Sequence, residues 1–129
     1  MRSLIWFRND LRVTDNATLN AAVKASTAVI PVYILDPEQW SENRWGHAKT
    51  GPFRAQFLLE SLADLKADLE DMGGTLLIRR GAPAEVLKAL AEEFDAKTVF
   101  ATAEHTREEV DRQEQVSEVL DLRLEEQLT

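Results

Sequence analysis

Residues 6 to 16 read Trp-Phe-Arg-Asn-Asp-Leu-Arg-Val-Thr-Asp-Asn and directly follow a short apolar run, Ser3-Leu4-Ile5. Arg8, Asp10, Arg12 and Asp15 thus crowd into the segment that leaves a strand-like stretch. In an open α/β sheet the loop after the first strand lies at the carboxyl edge, where ligands bind. Four charges at that place signal recognition, either of a ligand or of a facing protein surface. The alternative is that the four pair among themselves and only pin the loop. No other segment presents catalytic machinery. There is no G-x-G-x-x-G after the first strand, no G-x-x-x-x-G-K-[ST] cradle and no G-x-S-x-G elbow with its Ser/His/Asp set. The chain has no cysteine, and His47 and His105 stand alone, so neither a thiolate site nor a zinc constellation is expected. The many carboxylates fall on helix faces, where solvation explains them.

The elements that would position this loop alternate along the chain. Ser3 to Phe7 is a first strand. Asp15 or Thr14 caps a helix over about Asn16 to Ala25, with Leu19, Ala22 and Val23 as its buried stripe. Thr27 to Ile34 is β-branched and almost continuously apolar, as a strand covered on both faces should be, with Pro31 implying a bulge or a gap in the ladder. Leu35 to Thr50 reads as a loop holding Trp40 and Trp45, with one helical turn after Pro37. From Pro52 to Met72, the residues Phe53, Phe57, Leu58, Leu62, Leu65, Leu69 and Met72 recur at three- and four-residue spacing and predict an amphipathic helix ended by Gly73-Gly74. Thr75 to Arg79 is a third strand, Pro83 to about Phe94 a helix opened by its proline, and Lys97 to Ala101 a fourth strand. Thr106 and Glu109 form a capping box for a surface helix to roughly Glu118, thin in apolar residues (Val110, Val116, Val119). Leu120 to Leu124 is a fifth strand. The expected fold is α/β: an open five-stranded parallel sheet of order 3-2-1-4-5 with helices on both faces, Rossmann-like, joined by right-handed crossovers.

Composition bounds the rest. With 129 residues the chain fits one domain, and 44% hydrophobic residues suffice for a core. No run is long enough to span a membrane, and the first residues lack a signal peptide's apolar region, which fits a cytoplasmic protein. The formal net charge of -8 opposes a phosphate backbone, so DNA contact is expected through sequence beyond this chain or through a local basic patch.

The opening motif Trp6 to Asn16 strongly resembles the W-[FH]-R-x-D-L-R-x-x-D-N signature of the photolyase/cryptochrome family. Ala17-Thr-Leu19, Val32-Tyr-Ile-Leu-Asp-Pro37, Gly81-Ala-Pro-Ala-Glu-Val86 and the segment Val99 to Arg112 fit as well. The stretch Lys49 to Leu65 is similar to the corresponding helix of DASH-type cryptochromes. The resemblance covers essentially the whole chain. It implies a two-part protein: residues 1–129 as the N-terminal α/β, antenna-binding domain, and a larger helical domain, absent from this chain, that binds FAD, docks DNA and repairs pyrimidine dimers by light-driven electron transfer. No catalytic residue is carried over, because those positions belong to the helical domain, and the chain alone is expected to be inactive.

The resemblance further implies an antenna pigment, methenyltetrahydrofolate or a deazaflavin, at the sheet's carboxyl edge. Candidate contacts are Leu35, Asp36, Lys49, Phe53, Arg54 and Glu109, the last at a position where folate-binding members carry an acid that holds the pterin. Each has a plainer role as well: Glu109 as the capping-box acid, Phe53 as core, Arg54 as a solvated charge, Asp36 as a turn former before Pro37. Arg8, Asp10, Arg12, Asp15, Trp40 and Trp45 are expected on the side facing the helical domain, which is the implied partner in cis. Trp6 is expected buried. An orphaned docking face leaves weak homo-oligomerisation open. Two other functions fit the same elements: a stand-alone nucleotide-binding α/β module, and a partner-docking domain without pigment.

Overall fold

The computed structural model describes residues 2–36 and 52–126, with the side chains of the second segment described from residue 56 onward. Trp40, Trp45 and Lys49 therefore lie outside the described residues, as do the helical turn expected after Pro37 and the side chains of Phe53 and Arg54.

Five parallel strands form one sheet in the order β3-β2-β1-β4-β5, as expected. They are β1 (Arg2–Phe7), β2 (Ala28–Leu35), β3 (Leu77–Arg80), β4 (Thr98–Thr102) and β5 (Asp121–Glu125), joined by α1 (Ala17–Ala25), α2 (Pro52–Asp71), α3 (Pro83–Phe94) and α4 (Arg107–Val119). β1 is central, pairing β2 on one side and β4 on the other. It is buried from Ser3 to Phe7, because side chains alternate to both faces of a sheet covered on both. Leu4 and Trp6 join Val32, Ile34, Leu87, Leu90, Val99 and Val116 under α3 and α4. Ile5 and Phe7 join Leu19, Tyr33, Leu62, Leu65 and Leu69 under α1 and α2.

Pro31 makes neither a bulge nor a break against β1: the β1–β2 register runs from Arg2↔Ala28 to Phe7↔Tyr33 without an extra residue. β3 pairs only from Val32 onward, so the position lacking an N–H precedes the β2–β3 ladder. Other boundaries also moved. α1 is capped by Asn16, whose side-chain oxygen accepts the Leu19 N–H, and not by Asp15 or Thr14. Asp15 instead takes a left-handed turn at φ 52°, which aspartate tolerates better than most residues. On the same helix Val23 is exposed and Thr18 is buried in its place. On α2, Leu62, Leu65 and Leu69 face the core, whereas Phe57 and Met72 are 71% and 60% exposed, so the apolar stripe is narrower than its spacing suggested. α2 ends in a Schellman turn: Gly73, at φ 89°, donates to the Glu70 carbonyl, and Gly74 donates to that of Leu69. On α4, Val116 is buried and Val119 exposed. Among the described residues, no helix is long and apolar enough to cross a membrane.

Candidate functional site

The carboxyl ends of β1 and β2 and the first turns of α3 and α4 border a small open cleft of about 50 Å³. Its wall is aromatic and apolar (Trp6, Phe7, Tyr33, Ile34, Pro83), and its rim is polar (Arg8, Asn9, Asp36, Glu108, Glu109, Arg112). Apolar walls with a few placed polar groups are a combination that small-molecule sites share. Trp6 is 4% exposed, and the Arg8 guanidinium lies 4.5 Å from the centre of its ring.

Arg8 is the rim's most connected group. It donates to Gln113 Oε1 and, at 2.9 Å, to the Glu109 carbonyl, so β1 is tied to the first turns of α4. Burial pulls the guanidinium down from its ordinary value, while the charges of Glu109, Glu104 and Asp10 act in the opposite sense. Asn9 donates to Glu109 Oε2 at 2.6 Å. Glu109 also accepts from the Thr106 hydroxyl at 2.7 Å, and the Thr106 oxygen accepts the Glu109 N–H. The Thr106 cap forms as expected, and the Glu109 carboxylate bonds both Thr106 and Asn9 of the cleft loop. Across the rim Arg112 Nε donates to Asp36 Oδ2 at 2.7 Å, both side chains being largely buried.

The four charges of the opening motif separate by role. Asp10 is 3% exposed. Its carboxylate accepts from the Arg8 N–H at 3.1 Å, the Thr102 hydroxyl at 2.7 Å and the Asn16 amide at 3.3 Å. Because Thr102 donates to Asp10, the 2.6 Å Thr18–Thr102 contact must be donated by Thr18. This chain of bonds joins β1, α1 and β4 in the interior. Arg12 and Asp15 are exposed, their contact being a 3.4 Å bond from Arg12 to the Asp15 carbonyl. Mutual pairing of the four therefore does not account for them. Leu35 is placed apart from the cleft, packed with the α1–α2 cluster.

Spacing could have found two residues that sequence reasoning missed. Arg112 and Gln113 follow Glu109 by three and four positions and so share its helix face. Tyr33 and Glu104 carried no such signal, since their roles depend on register between strands and on the β4–α4 turn. Glu104 Oε1 is buried without a hydrogen-bond partner among the described residues. Burial first, then the charge of Glu109, push this carboxyl above the usual range; an Asn9 hydrogen bond and Arg8 oppose the shift, and Asp10 adds to it. A raised folded-state value means the folded chain binds the proton more tightly than the unfolded chain. The associated stability is present below the unfolded value and lost as pH rises through the folded one. Glu104→Gln should therefore stabilise the protein near neutral pH, with the gain fading toward the unfolded carboxylate value of about 4.3. Urea denaturation of both proteins across that range checks this, and a gain that grows toward acid would refute it.

An open five-stranded parallel sheet of order β3-β2-β1-β4-β5 with helices on both faces defines a Rossmann-like α/β domain. The family model for DNA photolyase matches residues 3–127. Cryptochrome DASH of Natronomonas pharaonis is 47% identical over 119 residues, covering 92% of this chain and 25% of that protein. A blue-light photoreceptor of Arabidopsis thaliana is 46% identical over 108 residues, covering 84% of this chain and 24% of that protein. The crystal structure of a Synechocystis cryptochrome superposes with a TM-score of 0.92 at 34% identity, over 98% of this chain and 27% of that one. An archaeal photolyase from Sulfolobus tokodaii, whose structure holds two FAD molecules, gives 0.87 at 27% identity, over 98% of this chain and 29% of that one. The chain belongs to the DNA photolyase/cryptochrome family and corresponds to its N-terminal α/β domain, DASH-like in sequence. It spans about a quarter of the length of these curated relatives.

Proposed function

We propose that this domain holds an antenna chromophore for a photolyase or DASH-type cryptochrome, collecting blue light for pyrimidine-dimer repair or photoreception in a protein completed by an FAD-binding helical domain. The observation that carries the reading is the cleft itself: apolar side chains at the ends of β1 and β2 beside a rim of oriented polar groups, at the edge where this fold binds ligands. The Sulfolobus relative, described as implying a novel light-harvesting cofactor, supports it by fold. Methenyltetrahydrofolate or a deazaflavin is the pigment proposed, with Asp36 and Glu109 in the rim and Lys49, Phe53 and Arg54 as further contacts. Arg12, Asp15, Trp40 and Trp45 are proposed to meet the helical domain, through which alone DNA would be engaged. Arg8 and Asp10 would serve that junction by holding the loop's shape from inside. A nucleotide-binding module is the weaker reading, because no glycine-rich turn follows β1.

Titrating the chain with methenyltetrahydrofolate tests this. A shifted absorption band that saturates at one equivalent is expected, with affinity weakened about tenfold in Glu109→Ala through loss of one charged hydrogen bond. The absence of any spectral change with both the folate and a deazaflavin would remove the antenna reading for this domain alone.

A further inference from the structure

We propose that the outer edge of β5 pairs antiparallel with β5 of a second copy of this chain, so that two five-stranded sheets join across a two-fold axis. The inference is independent of what the cleft binds. β5 ends one side of the sheet and pairs only with β4 among the described residues. The Glu125 carbonyl accepts the Ala103 N–H, so the backbone groups of Asp121, Arg123 and Glu125 point toward β4. By the pleat, those of Leu122 and Leu124 point outward, as a template for a further strand.

The order of side chains selects the occupant. Leu120-Asp121-Leu122-Arg123-Leu124 is its own antiparallel complement. Leu120 already has extended backbone, at φ -141° and ψ 161°. With the axis at Leu122, each copy sets Leu122 opposite Leu122, Leu120 opposite Leu124 and Asp121 opposite Arg123. Apolar and opposite-charge pairs across strands both stabilise a ladder. The leucines share the α3–α4 face, where Leu120 and Leu122 pack against the core and Leu124 is 42% exposed. The charges share the other face. Asp121 and Arg123 lie 3.4 Å apart within one copy and are about half exposed, so pairing gives each a second partner. Moving the axis to Arg123 would set guanidinium against guanidinium and Asp121 against Glu125, which fixes the register. The opposite edge lacks this order: full self-pairing of β3 sets Arg79 and Arg80 opposite Ile78 and Leu77. A two-fold contact of this kind closes at two copies.

So short an edge supports a weak dimer. Sedimentation equilibrium of the 129-residue chain at physiological ionic strength, which screens the charge of -8 on each copy, tests it. Monomers should give way to dimers between about 10 µM and about 1 mM. Arg123→Asp should raise the dissociation constant at least about tenfold, and adding Asp121→Arg should restore it, because the complement is kept with its charges exchanged. In the unaltered chain, hydrogen exchange at the Leu122 and Leu124 amides should slow at the higher concentration. A chain that stays monomeric to about 1 mM overturns the proposal. So does a dimer that Arg123→Asp leaves intact, or one that leaves those two amides unprotected.

Discussion

Asp10→Ala should destabilise the domain by about 3 kcal/mol, the scale for stripping a charged acceptor from buried donors. At this chain length such a loss lowers Tm by about 10 °C. The reason is the number of groups that converge on one carboxylate. The Arg8 N–H, the Thr102 hydroxyl and the Asn16 amide all donate to it, and Asn16 in turn caps α1. Removing the acceptor leaves those donors in a space that water does not reach, and it loosens β1, α1 and β4 together. Arg12→Ala, at an exposed side chain whose contact is a 3.4 Å bond to the Asp15 carbonyl three residues on, should change stability by less than about 0.5 kcal/mol. Paired urea melts compare the two, and similar midpoints would show that Asp10 is not the interior keystone described. A motif that reads as four equivalent charges is thereby expected to split into one structural acid, one cleft-rim arginine and two surface groups.

Arg112→Met should cost about 3 kcal/mol, because it keeps the apolar stem but removes the guanidinium that bonds Asp36 at 2.7 Å, where the carboxylate side chain is 9% exposed. The penalty arises from a buried charge that has lost its bonded cation. The double change Asp36→Asn with Arg112→Met should therefore be milder than the sum of the single changes, by at least about 1 kcal/mol. Strict additivity in a double-mutant cycle would show that the pair is energetically idle. Because the pair bridges the end of β2 to α4, the same variant should also weaken pigment binding, since the rim would no longer be held at its observed spacing.

The alternation of apolar strands with amphipathic helices was sufficient to derive the parallel sheet and its two covered faces. Those features follow from local periodicity and from handedness rules that hold for any such chain. The motif from Trp6 to Asn16 likewise announced the family. The width of each apolar stripe was less legible. Phe57 and Met72 share α2's spacing with Leu65, yet they lie exposed, because a helix crossing a sheet buries only the positions within reach of it. Pro31 argued for a disturbed strand, but the disturbance vanished once β3 was seen to pair from Val32 onward.

Residue types and their order thus determined the architecture and the family to which the chain belongs. Only the tertiary structure decided which charges are interior and which line the cleft. Asp10 meets Thr102 across 92 positions of sequence, and Arg8 meets Gln113 across 105. Such partners are fixed by strand register and helix placement, which local patterns do not encode.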